Sequence, residues 1–470
     1  MEDVTKSWAR AQFGAAKLAD ARLTDRLVAV AEQLAAHPSE TFPKKFHNPA
    51  DLQGFYRLMK HKRVTHESVL AAHRALTLEK MRSTPGVVLN IQDTTVLDYS
   101  GLKAIKDLGQ IGDGHGRGFY CHNCLAVVAK TREVLGLAGQ VLHRRRKVPR
   151  GEKRAARQQD PHRESRLWKK VSESIPAAPP DGPPGQLWVD VADRGADITE
   201  FLDYEDEAGK NYVVRSQHNR WIEREIAGKT EKIKLHELAR SLPAVGRRLV
   251  EVQAKKGQKA RTAEVSVSWQ AVTIVPPRQR RGEERGVRLS TWVVRVWEEN
   301  PPAGVEALEW ILLTNVRVLT LVEAFERVDW YGLRWIIEEY HKAKKTGCDI
   351  EKMQFTFRER LEPAIAVLSI VAVLLLNLRD RSRAPDAKER LATDCVPEQW
   401  VRILSKWRHG EVRMSWSVHE FFFALARLGG HQNRKHDHPP GWLVLWRGWS
   451  HLQAMLDGAA AASDQRCDET

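Results

Sequence analysis

Apolar and polar residues follow two different periods along this chain. Up to about residue 66, apolar positions recur at helical spacing, as in ARLTDRLVAVAEQLAAH and DLQGFYRLMKHKRV. From Gly86 the pattern changes: GVVLNIQDTTVLDY begins with an apolar run that ends on Asp93, and YCHNCLAVVAK and EVLGLAGQVLHRR follow as two further strands. The sequence therefore predicts a helical N-terminal part followed by a mixed α/β part.

A second strand–helix unit begins after the stiff connector PAAPPDGPPG. QLWVDVADRGADITEFLDYEDEAG predicts a strand with Asp193 at its end and then a helix, and NYVVRSQH predicts another strand. Between residues 219 and 303 this alternation stops, and VSVSWQAVTIV and LSTWVVRVWEE predict paired β-strands. The β-rich insertion has basic loops that carry Lys255, Lys256, Lys259, Arg261, Arg278, Arg280 and Arg281.

The stretch WYGLRWIIEEYHKAKKTG, residues 330–347, is predicted to be one helix. Five polar residues share one face of it: Tyr331, Arg334, Glu338, Lys342 and Lys345. At about 100° per residue they fall within roughly 80° of arc. A carboxylate framed by a phenol, a guanidinium and two ammonium groups can hold a metal ion and a phosphate together.

Further helices are predicted towards the C-terminus. The apolar run Ala364 to Leu376 is short of the ~20 residues that a spanning helix needs, so we expect a buried core helix. FFFALARLGG and GWLVLWRGWSHLQAMLDG predict helices with apolar faces. The charged stretch MEDVTKSWARAQF lacks the apolar core of a signal peptide, so we expect a cytoplasmic protein.

The net charge of the chain predicts a class of binding partner. A formal net charge of +15 and a pI near 9.6 predict a polyanion, with nucleic acid as the leading candidate. The N-terminal helices carry Arg22, Arg26, Arg57, Lys60, Lys62 and Arg63. These cations indicate either a small DNA-contacting domain or a solvated helical face. The basic loop 143–160 leaves the same two alternatives, DNA contact or a solvated insertion.

The five cysteines are too few and too scattered for a disulfide framework, which agrees with a reducing compartment. Cys121 and Cys124 have the spacing of a zinc-binding pair. No second pair follows downstream, so we interpret them as strand residues.

Three acidic residues stand where carboxylates can meet. Asp93 and Asp193 close predicted strands, and Glu338 lies on the predicted helix. Carboxylates at adjacent strand ends, approached by a helix, can share two Mg²⁺ ions about 3.5–4 Å apart and so promote phosphodiester displacement. The plainer alternative is that Asp193 caps the helix that follows it and that Glu338 pairs with Lys342.

Several stretches, in order, resemble those of the bacterial DDE transposases of the insertion-sequence-four type. They are IQDTTVLDY, VADRGADI, YVVRSQH, EWILLTN, YGLRWIIEEYHKAKKTG and ARLGG. The resemblance runs from about Trp8 to Gly458. Its most specific part is Tyr-x-x-Arg-x-x-x-Glu with lysines four and seven residues after the glutamate.

This resemblance implies an α/β fold with an RNase H-like core, in which helices flank a mixed sheet. We accordingly expect residues 1–75 to form an N-terminal helical DNA-binding domain. Residues 76–384 would form the catalytic core, with the β-rich insertion at about 219–303. Residues 385–470 would form a C-terminal helical dimerisation domain.

The resemblance also implies residue roles. Asp93, Asp193 and Glu338 would be catalytic and would bind two Mg²⁺ ions per active site, with Mn²⁺ as a substitute. The residues implied to contact DNA are Tyr331, Arg334, Lys342, Lys345, Trp310, Arg215, Arg26 and Arg57. Trp310 would stack on a base flipped from the transposon end, and its alternative is a core tryptophan on a strand.

The implied activity is cut-and-paste transposition. A homodimer would bind the double-stranded terminal repeats of its element, nick them, form and open a hairpin, and join the 3′-hydroxyl ends to target DNA. Two alternatives stay open: a catalytically silent transposase-derived DNA-binding repressor, and a metal-dependent nuclease without strand transfer. The intact Asp93, Asp193 and Glu338 argue against the repressor. We expect the protein to act in the bacterial cytoplasm, associated with the nucleoid when bound to DNA, and to have no membrane partner.

Overall fold

The computed structural model describes residues 4–37, 41–46, 48–146, 151–153, 156, 160–226, 228–252, 261–276, 288–384, 386–434, 437 and 439–468. Part of the basic loop 143–160 lies outside these ranges. So do the insertion-loop cations Lys255, Lys256, Lys259, Arg278, Arg280 and Arg281. The prediction that Arg261 lies in a loop is wrong, because it is the first residue of a strand. Its Nη2 atom donates to Glu298 Oε2 at 2.7 Å, so its charge is already paired within the protein.

The N-terminal part is a set of helices joined by short turns. They are α1 (Val4–Phe13), α2 (Ala21–Ala36), α3 (Phe42–Lys45), α4 (Pro49–Lys60) and α5 (His66–Ser83). Asp20, Asn48 and Thr65 each precede a helix and accept one of its first backbone N–H groups. Leu34 of α2 and Phe55 of α4 are fully buried. The two helices predicted in this part correspond to α2 and α4 and are confirmed.

A mixed β-sheet follows. Its first strands are β1 (Val87–Asp98), β2 (Gly109–Ile111), β3 (Gly116–Val128), β4 (Val134–His143), β5 (Leu187–Ala192) and β6 (Asn211–Arg215). Strand β3 is antiparallel to both β1 and β4, whereas β5 runs parallel to β1, and β6 runs parallel to β5. Helices α6 (Leu167–Ser174) and α7 (Thr199–Glu207) connect β4 to β5 and β5 to β6. The predicted mixed α/β class is confirmed.

The β-rich segment extends the same sheet. Its elements are β7 (Trp221–Ile226), β8 (Lys229–Lys234), α8 (Leu235–Ser241), β9 (Gly246–Val252), β10 (Arg261–Ile274), β11 (Leu289–Glu298) and β12 (Glu309–Thr314). The predicted pairing of β10 with β11 is confirmed, and it is antiparallel. Among the described strands the order is β2-β3-β1-β5-β6-β12-β11-β10-β7-β8, with β4 beside β3 and β9 beside β10.

Helices cover both faces of the sheet, and one of them lies at the centre of the core. After β12 come α9 (Leu321–Gly332), α10 (Trp335–Lys342) and α11 (Arg358–Ser382). Leu89 and Ile91 of β1 face the large core that contains α11, whereas Val88 faces α6. Of the described helices, α11 is long and apolar enough to cross a membrane, but 89% of its apolar window is buried inside the protein. The predicted buried core helix is therefore confirmed.

The C-terminal part consists of helices α12 (Glu398–His409), α13 (Val418–Leu428) and α14 (Trp442–Asp468). Helices α13 and α14 pack with their backbones in contact at Gly448. A side chain would not fit there, since a Cβ atom at Gly448 would lie 1.8 Å from Leu425 O. Trp449 Nε1 donates to Ala35 O at 3.3 Å and so joins α14 to α2. The predicted helices are confirmed, and a dimerisation role for them stays a prediction.

Candidate active site and DNA-binding region

Two acidic residues come together because β1 and β5 run parallel. Gln92 and Ala192 are the last residues paired between these strands, so Asp93 and Asp193 follow at the same level of the sheet. Asp93 does not end its strand, because β1 continues to Asp98 by pairing with β3. The predicted strand end at Asp93 is therefore wrong. The antiparallel neighbour supplies hydrogen bonds beyond the point where the parallel neighbour stops.

Asp193 directly follows β5, as predicted, and caps a short 3₁₀ turn, Arg194–Ala196. Its Oδ1 atom accepts a hydrogen bond from Gly195 N at 2.8 Å. The capping role considered as an alternative is therefore present, although it serves this turn and not helix α7. The cap uses one of the two carboxylate oxygen atoms.

Glu338 lies on α10, which is interrupted on both sides. Helix α9 ends before it, and a π-helical turn, Ala343–Gly347, follows it. Arg334 N donates to Tyr331 O at 3.1 Å, three residues back instead of four, which tightens the first junction. The prediction of one helix over residues 330–347 is therefore wrong, and its polar face is divided among three segments.

Arg334 connects Glu338 on α10 with Asp93 on β1. Its Nη2 atom donates to Glu338 Oε1 at 2.6 Å, and its Nη1 atom lies 3.7 Å from Asp93 Oδ2. Among the described ion pairs, Glu338 is bound to Arg334 and not to Lys342. The guanidinium therefore holds two acidic residues from different elements beside one another.

The surroundings of Asp93 oppose its ionisation. Burial raises the pKa of Asp93 to about 6, with Asp193 and Glu338 acting in the same direction and Arg334 against them. Burial also opposes the charge of Arg334, but Tyr331, Glu338 and Asp93 together raise the pKa of Arg334 above its ordinary value. Asp193 and Glu338 therefore each lie within electrostatic reach of Asp93.

Carboxylate oxygen atoms are the hard ligands that Mg²⁺ and Mn²⁺ prefer. In the part of the chain that the structure describes, no three or more His, Cys, Asp or Glu side chains are gathered closely enough to hold a metal ion. Glu338 instead binds the Arg334 guanidinium. The donor atoms fit a divalent cation in chemistry and in charge, but their positions do not form a closed metal site in this arrangement, where Arg334 provides the compensating positive charge.

A group of predicted DNA-contacting residues lies beside Arg334. Trp310 of β12 and Tyr331 of α9 pack edge to face with ring centroids 5.0 Å apart. Arg215, at the end of β6, donates to Glu309 O at 2.9 Å, and its positive charge acts to lower the pKa of the Tyr331 hydroxyl. Tyr331 is buried, and this burial raises the pKa of its hydroxyl. The structure thus brings Trp310, Arg215, Tyr331 and Arg334 together next to the acidic residues.

The two predicted lysines occupy different environments. Lys342 is exposed at the end of α10. Lys345 lies on the π-helical turn and pairs with Glu351, with an N–O distance of 3.2 Å. To contact a DNA phosphate, Lys345 would therefore have to share or exchange its ion pair with Glu351. The exposed Lys342 could contact a phosphate directly.

The two predicted N-terminal contacts, Arg26 and Arg57, lie on α2 and α4. Arg26 Nη1 lies 3.5 Å from Asp51 Oδ1, and Arg57 Nη2 donates to Gln53 Oε1 at 3.5 Å. None of the described contacts links either arginine to Asp93, so they form a separate basic region.

One further side chain, His341, lies near the Asp93 carboxylate, and a second, Asn123, holds His341; the sequence indicated neither. His341 Nδ1 lies 3.9 Å from Asp93 Oδ2, and Asn123, the β3 partner of Asp93, hydrogen-bonds His341 Nε2 at 3.2 Å. Burial, reinforced by Lys344 and Lys345, holds the pKa of His341 well below its ordinary value. Helical spacing from Glu338 could have indicated His341. No local signal indicates Asn123, because strand register is nonlocal.

Cys121 and Cys124 both lie on β3 and are fully buried free thiols. Residues three apart on a strand point to opposite faces of the sheet. The interpretation of these cysteines as strand residues is therefore confirmed.

Comparison with protein-family models identifies the N-terminal helices. Residues 5–64 match the transposase DNA-binding family. Helices α1 to α4 lie within this match, apart from Val4, and form a transposase DNA-binding domain. The matched segment contains Arg26 and Arg57, which favours the DNA-contacting alternative for the basic N-terminal helices over a solvated face. The match supports a transposase, with DNA as its partner.

We expect Asp93→Asn to stabilise the protein at pH 8 but not at pH 4. The pKa of about 6 exceeds the ordinary value of 3.8, so the folded state binds this proton more tightly than the unfolded state does. That stabilisation is complete below pH 3.8 and is lost as pH rises through 6. Asparagine carries no charge, so the substitution should raise the free energy of unfolding by about 1–2 kcal/mol at pH 8. The upper limit of this gain, set by a pKa difference of about two units, is about 3 kcal/mol.

The measurement is urea unfolding with a metal chelator at both pH values. Asp113→Asn, on an exposed turn, is the matched control and should shift the midpoint little at either pH. An equal destabilisation by Asp93→Asn at both pH values would contradict the electrostatic argument.

Proposed function

We propose that this protein is a DDE transposase of the insertion-sequence-four type, similar to the transposase of the transposon Tn-five. The observation that carries the proposal is the electrostatic proximity of Asp193 and Glu338 to Asp93 in a chain that also has a transposase DNA-binding domain. The parallel register of β1 and β5 supports it, together with the raised pKa of Asp93. A mixed sheet flanked by helices, with carboxylates on β1 and after β5, fits an RNase H-like core.

Asp93, Asp193 and Glu338 would hold two Mg²⁺ ions, or Mn²⁺ in their place. Such ions would supply Lewis-acid stabilisation and an activated water or 3′-hydroxyl for phosphodiester displacement. The protein's own part begins with Asp93, which must give up its proton to act as a ligand. Glu338 must also exchange the Arg334 guanidinium for the new cation, which frees Arg334 to bind a DNA phosphate bidentately.

The residues next to Arg334 would hold the DNA strand at the site of reaction. Tyr331, Lys342 and Lys345 would contact phosphates near the scissile bond. Trp310 would stack on a base flipped out of the transposon end, with Arg215 on the adjacent strand end. The half-buried position of Trp310 against Tyr331 supports this, because one side of the indole is supported by protein.

The reaction would be cut-and-paste transposition by a homodimer that holds two DNA ends through its N-terminal domains. Hydrolytic nicking, hairpin formation, hairpin opening and strand transfer are all phosphoryl transfers, so one site can perform them in succession. The C-terminal helices would provide the dimer contact, and each active site would act on the end bound by the partner subunit.

A second candidate is a DNA-binding repressor derived from a transposase. The observation that favours it is the Arg334–Glu338 contact, because Glu338 is bound to Arg334 and the described residues gather no three His, Cys, Asp or Glu side chains closely enough to hold a metal ion. In this candidate Arg334 would permanently neutralise the acidic residues, and Mg²⁺ would bind weakly.

The deciding experiment mixes purified protein, Mg²⁺ and the inverted repeats that flank its own gene. Nicks followed by hairpins support the transposase, and binding without cleavage in either Mg²⁺ or Mn²⁺ supports the repressor. Pre-cleaved ends with a free 3′-hydroxyl and a target plasmid then test strand transfer. Cleavage without joined products would indicate a nuclease.

We expect Arg57→Gln to weaken binding to all DNA sequences alike and to lower the slope of log K against log salt by about 1. The reason is that Arg57 is exposed within the matched DNA-binding segment, where it would contact phosphate. Binding is measured by fluorescence anisotropy over a salt series. Arg408→Gln, an exposed arginine on α12, is the control. An unchanged slope for Arg57→Gln would exclude the phosphate contact.

A further inference from the structure

A buried polar network lies behind Asp93, and its centre is the fully buried Lys344. Lys344 lies on the π-helical turn, and its Nζ donates to Asn123 Oδ1 at 2.8 Å and to Cys121 Sγ at 3.4 Å. An ammonium group buried without partners would cost several kcal/mol, so its surroundings must be arranged to accept its hydrogen bonds. Asn123 is the main acceptor.

The ammonium group fixes the orientation of the Asn123 amide. Lysine is a donor only, so the atom that faces Lys344 must be the amide oxygen. Gln140 Nε2 donates to the same oxygen at 2.7 Å. The other amide atom is therefore nitrogen, and it donates to Cys121 O at 2.8 Å. All three contacts require the same orientation.

The orientation of Gln140 agrees with this assignment. Its Nε2 also donates to Ser369 Oγ at 3.0 Å, and its Oε1 accepts from His66 Nε2 at 2.9 Å. His66 is the first residue of α5, two positions after the segment that matches the transposase DNA-binding family. The network thus extends from the border of the N-terminal domain to the carboxylate.

The Asn123 amide in turn determines where His341 carries its proton. Asn123 Nδ2 lies 3.2 Å from His341 Nε2. A donor at this position requires Nε2 to be the acceptor, so the proton is on Nδ1. Nδ1 is the atom that faces Asp93 Oδ2, 3.9 Å away.

We propose that Asn123, held by Lys344, is a positioning residue that keeps His341 with its proton on Nδ1 and directed at Asp93. An N–H dipole at this point attracts the carboxylate and orients Oδ2. The other tautomer would direct a lone pair at the carboxylate and repel it. That Asp93 is catalytic rests on the proposed function, whereas the hydrogen-bond assignment does not.

The decisive variant is Asn123→Asp. Aspartate has the same shape, and its carboxylate would pair with the Lys344 ammonium, so the new charge is compensated. It offers no N–H to His341, so Nε2 must become the protonated nitrogen. Two-dimensional ¹⁵N NMR of histidine-labelled protein distinguishes protonated from unprotonated ring nitrogens, and His341→Gln assigns the signal.

The wild type should show Nδ1 protonated and Nε2 unprotonated, and Asn123→Asp should show a proton on Nε2. Asn123→Leu removes both hydrogen-bonding atoms and should give a mixture of tautomers. Asn211→Asp makes the same change on β6, where the amide donates to Trp188 O, and should leave the His341 signal unchanged. A wild-type Nε2–H signal, or an unprotonated Nε2 in Asn123→Asp, would overturn the inference.

The functional effect is measured as single-turnover nicking at saturating DNA. Asn123→Leu should slow nicking about 10-fold to 100-fold, the effect typical of groups that orient a metal ligand, with unchanged binding of the DNA ends. Wild-type nicking rates in this variant would overturn the positioning role. If the wild type itself fails to nick DNA, the proposed function fails, and the NMR result still decides the tautomer.

Discussion

Glu338→Gln should abolish DNA cleavage, with a loss of about 10³-fold or more, while specific binding of the DNA ends stays within about twofold. Glutamine keeps the size of the side chain, and its amide oxygen can still accept the hydrogen bond from Arg334 Nη2. It loses the negative charge that a divalent cation needs. The fold should therefore be intact and only the chemical step should be lost.

Glu339→Gln is the matched control for this prediction. Glu339 is the next residue on α10, and its partner is Arg379 of α11. Arg379 Nη2 also donates to Asp380 Oδ1 at 2.7 Å, so it keeps an acidic partner when Glu339 is neutralised. We expect Glu339→Gln to cleave DNA at close to the wild-type rate.

Cleavage and binding are measured separately, by gel analysis of nicked ends and by anisotropy. If Glu338→Gln loses end binding at an unchanged melting temperature, the residue contributes to the DNA interface and not to chemistry. If it cleaves at the wild-type rate, the acidic residue that completes the site lies elsewhere.

Much of the secondary structure was predicted from the spacing of apolar residues along the chain, because this spacing shows which face of a helix or strand is buried. The strand that ends just before Asp193, the helix that follows and the apolar helix α11 are examples. Each depends on residues within one element. The structure confirmed these elements because local pattern and burial agree there.

Features that depend on contacts between distant segments could not be predicted in this way. The continuation of β1 past Asp93 depends on β3, more than twenty residues away along the chain. The π-helical turn carries Lys344, whose Nζ donates to Asn123 Oδ1 on a distant strand inside the core. The helical spacing of apolar residues predicts one continuous helix over residues 330–347, because this spacing does not reflect contacts with distant segments.

The same distinction applies to the candidate site. The resemblance implied the site residues, and the structure places Asp193 and Glu338 each within electrostatic reach of Asp93. The role of Arg334 changed most. Expected as a phosphate ligand, it lies between two carboxylates, so under the proposed function DNA binding and metal binding would be coupled through this one side chain.

Trp310→Ala should slow hairpin formation by about 10-fold to 100-fold while changing the first nick little, since base stacking is worth ~1–3 kcal/mol. Trp310 packs against Tyr331, and Arg215 lies next to Tyr331. An indole supported on one side can stack a base on the other. The first nick needs no flipped base, whereas closing a hairpin requires both strands to bend sharply at the end.

Trp297→Ala is the control for this variant. Val296 is the register partner of Trp310, so Trp297, the next residue on β11, points to the other face of the sheet. It stacks on Arg295, with the guanidinium carbon 4.1 Å from the ring centroid. We expect this variant to lose some stability without a step-specific effect on DNA.

The two steps are separated by following nicked and hairpin products over time from one labelled end, with Trp310→Phe as a third variant. Phenylalanine retains part of the stacking surface and should give an intermediate hairpin rate. Equal slowing of nicking and hairpin formation by Trp310→Ala would contradict the flipped-base role. It would instead indicate that Trp310 acts by supporting Tyr331, because loss of that support would disturb Arg334 and both steps together.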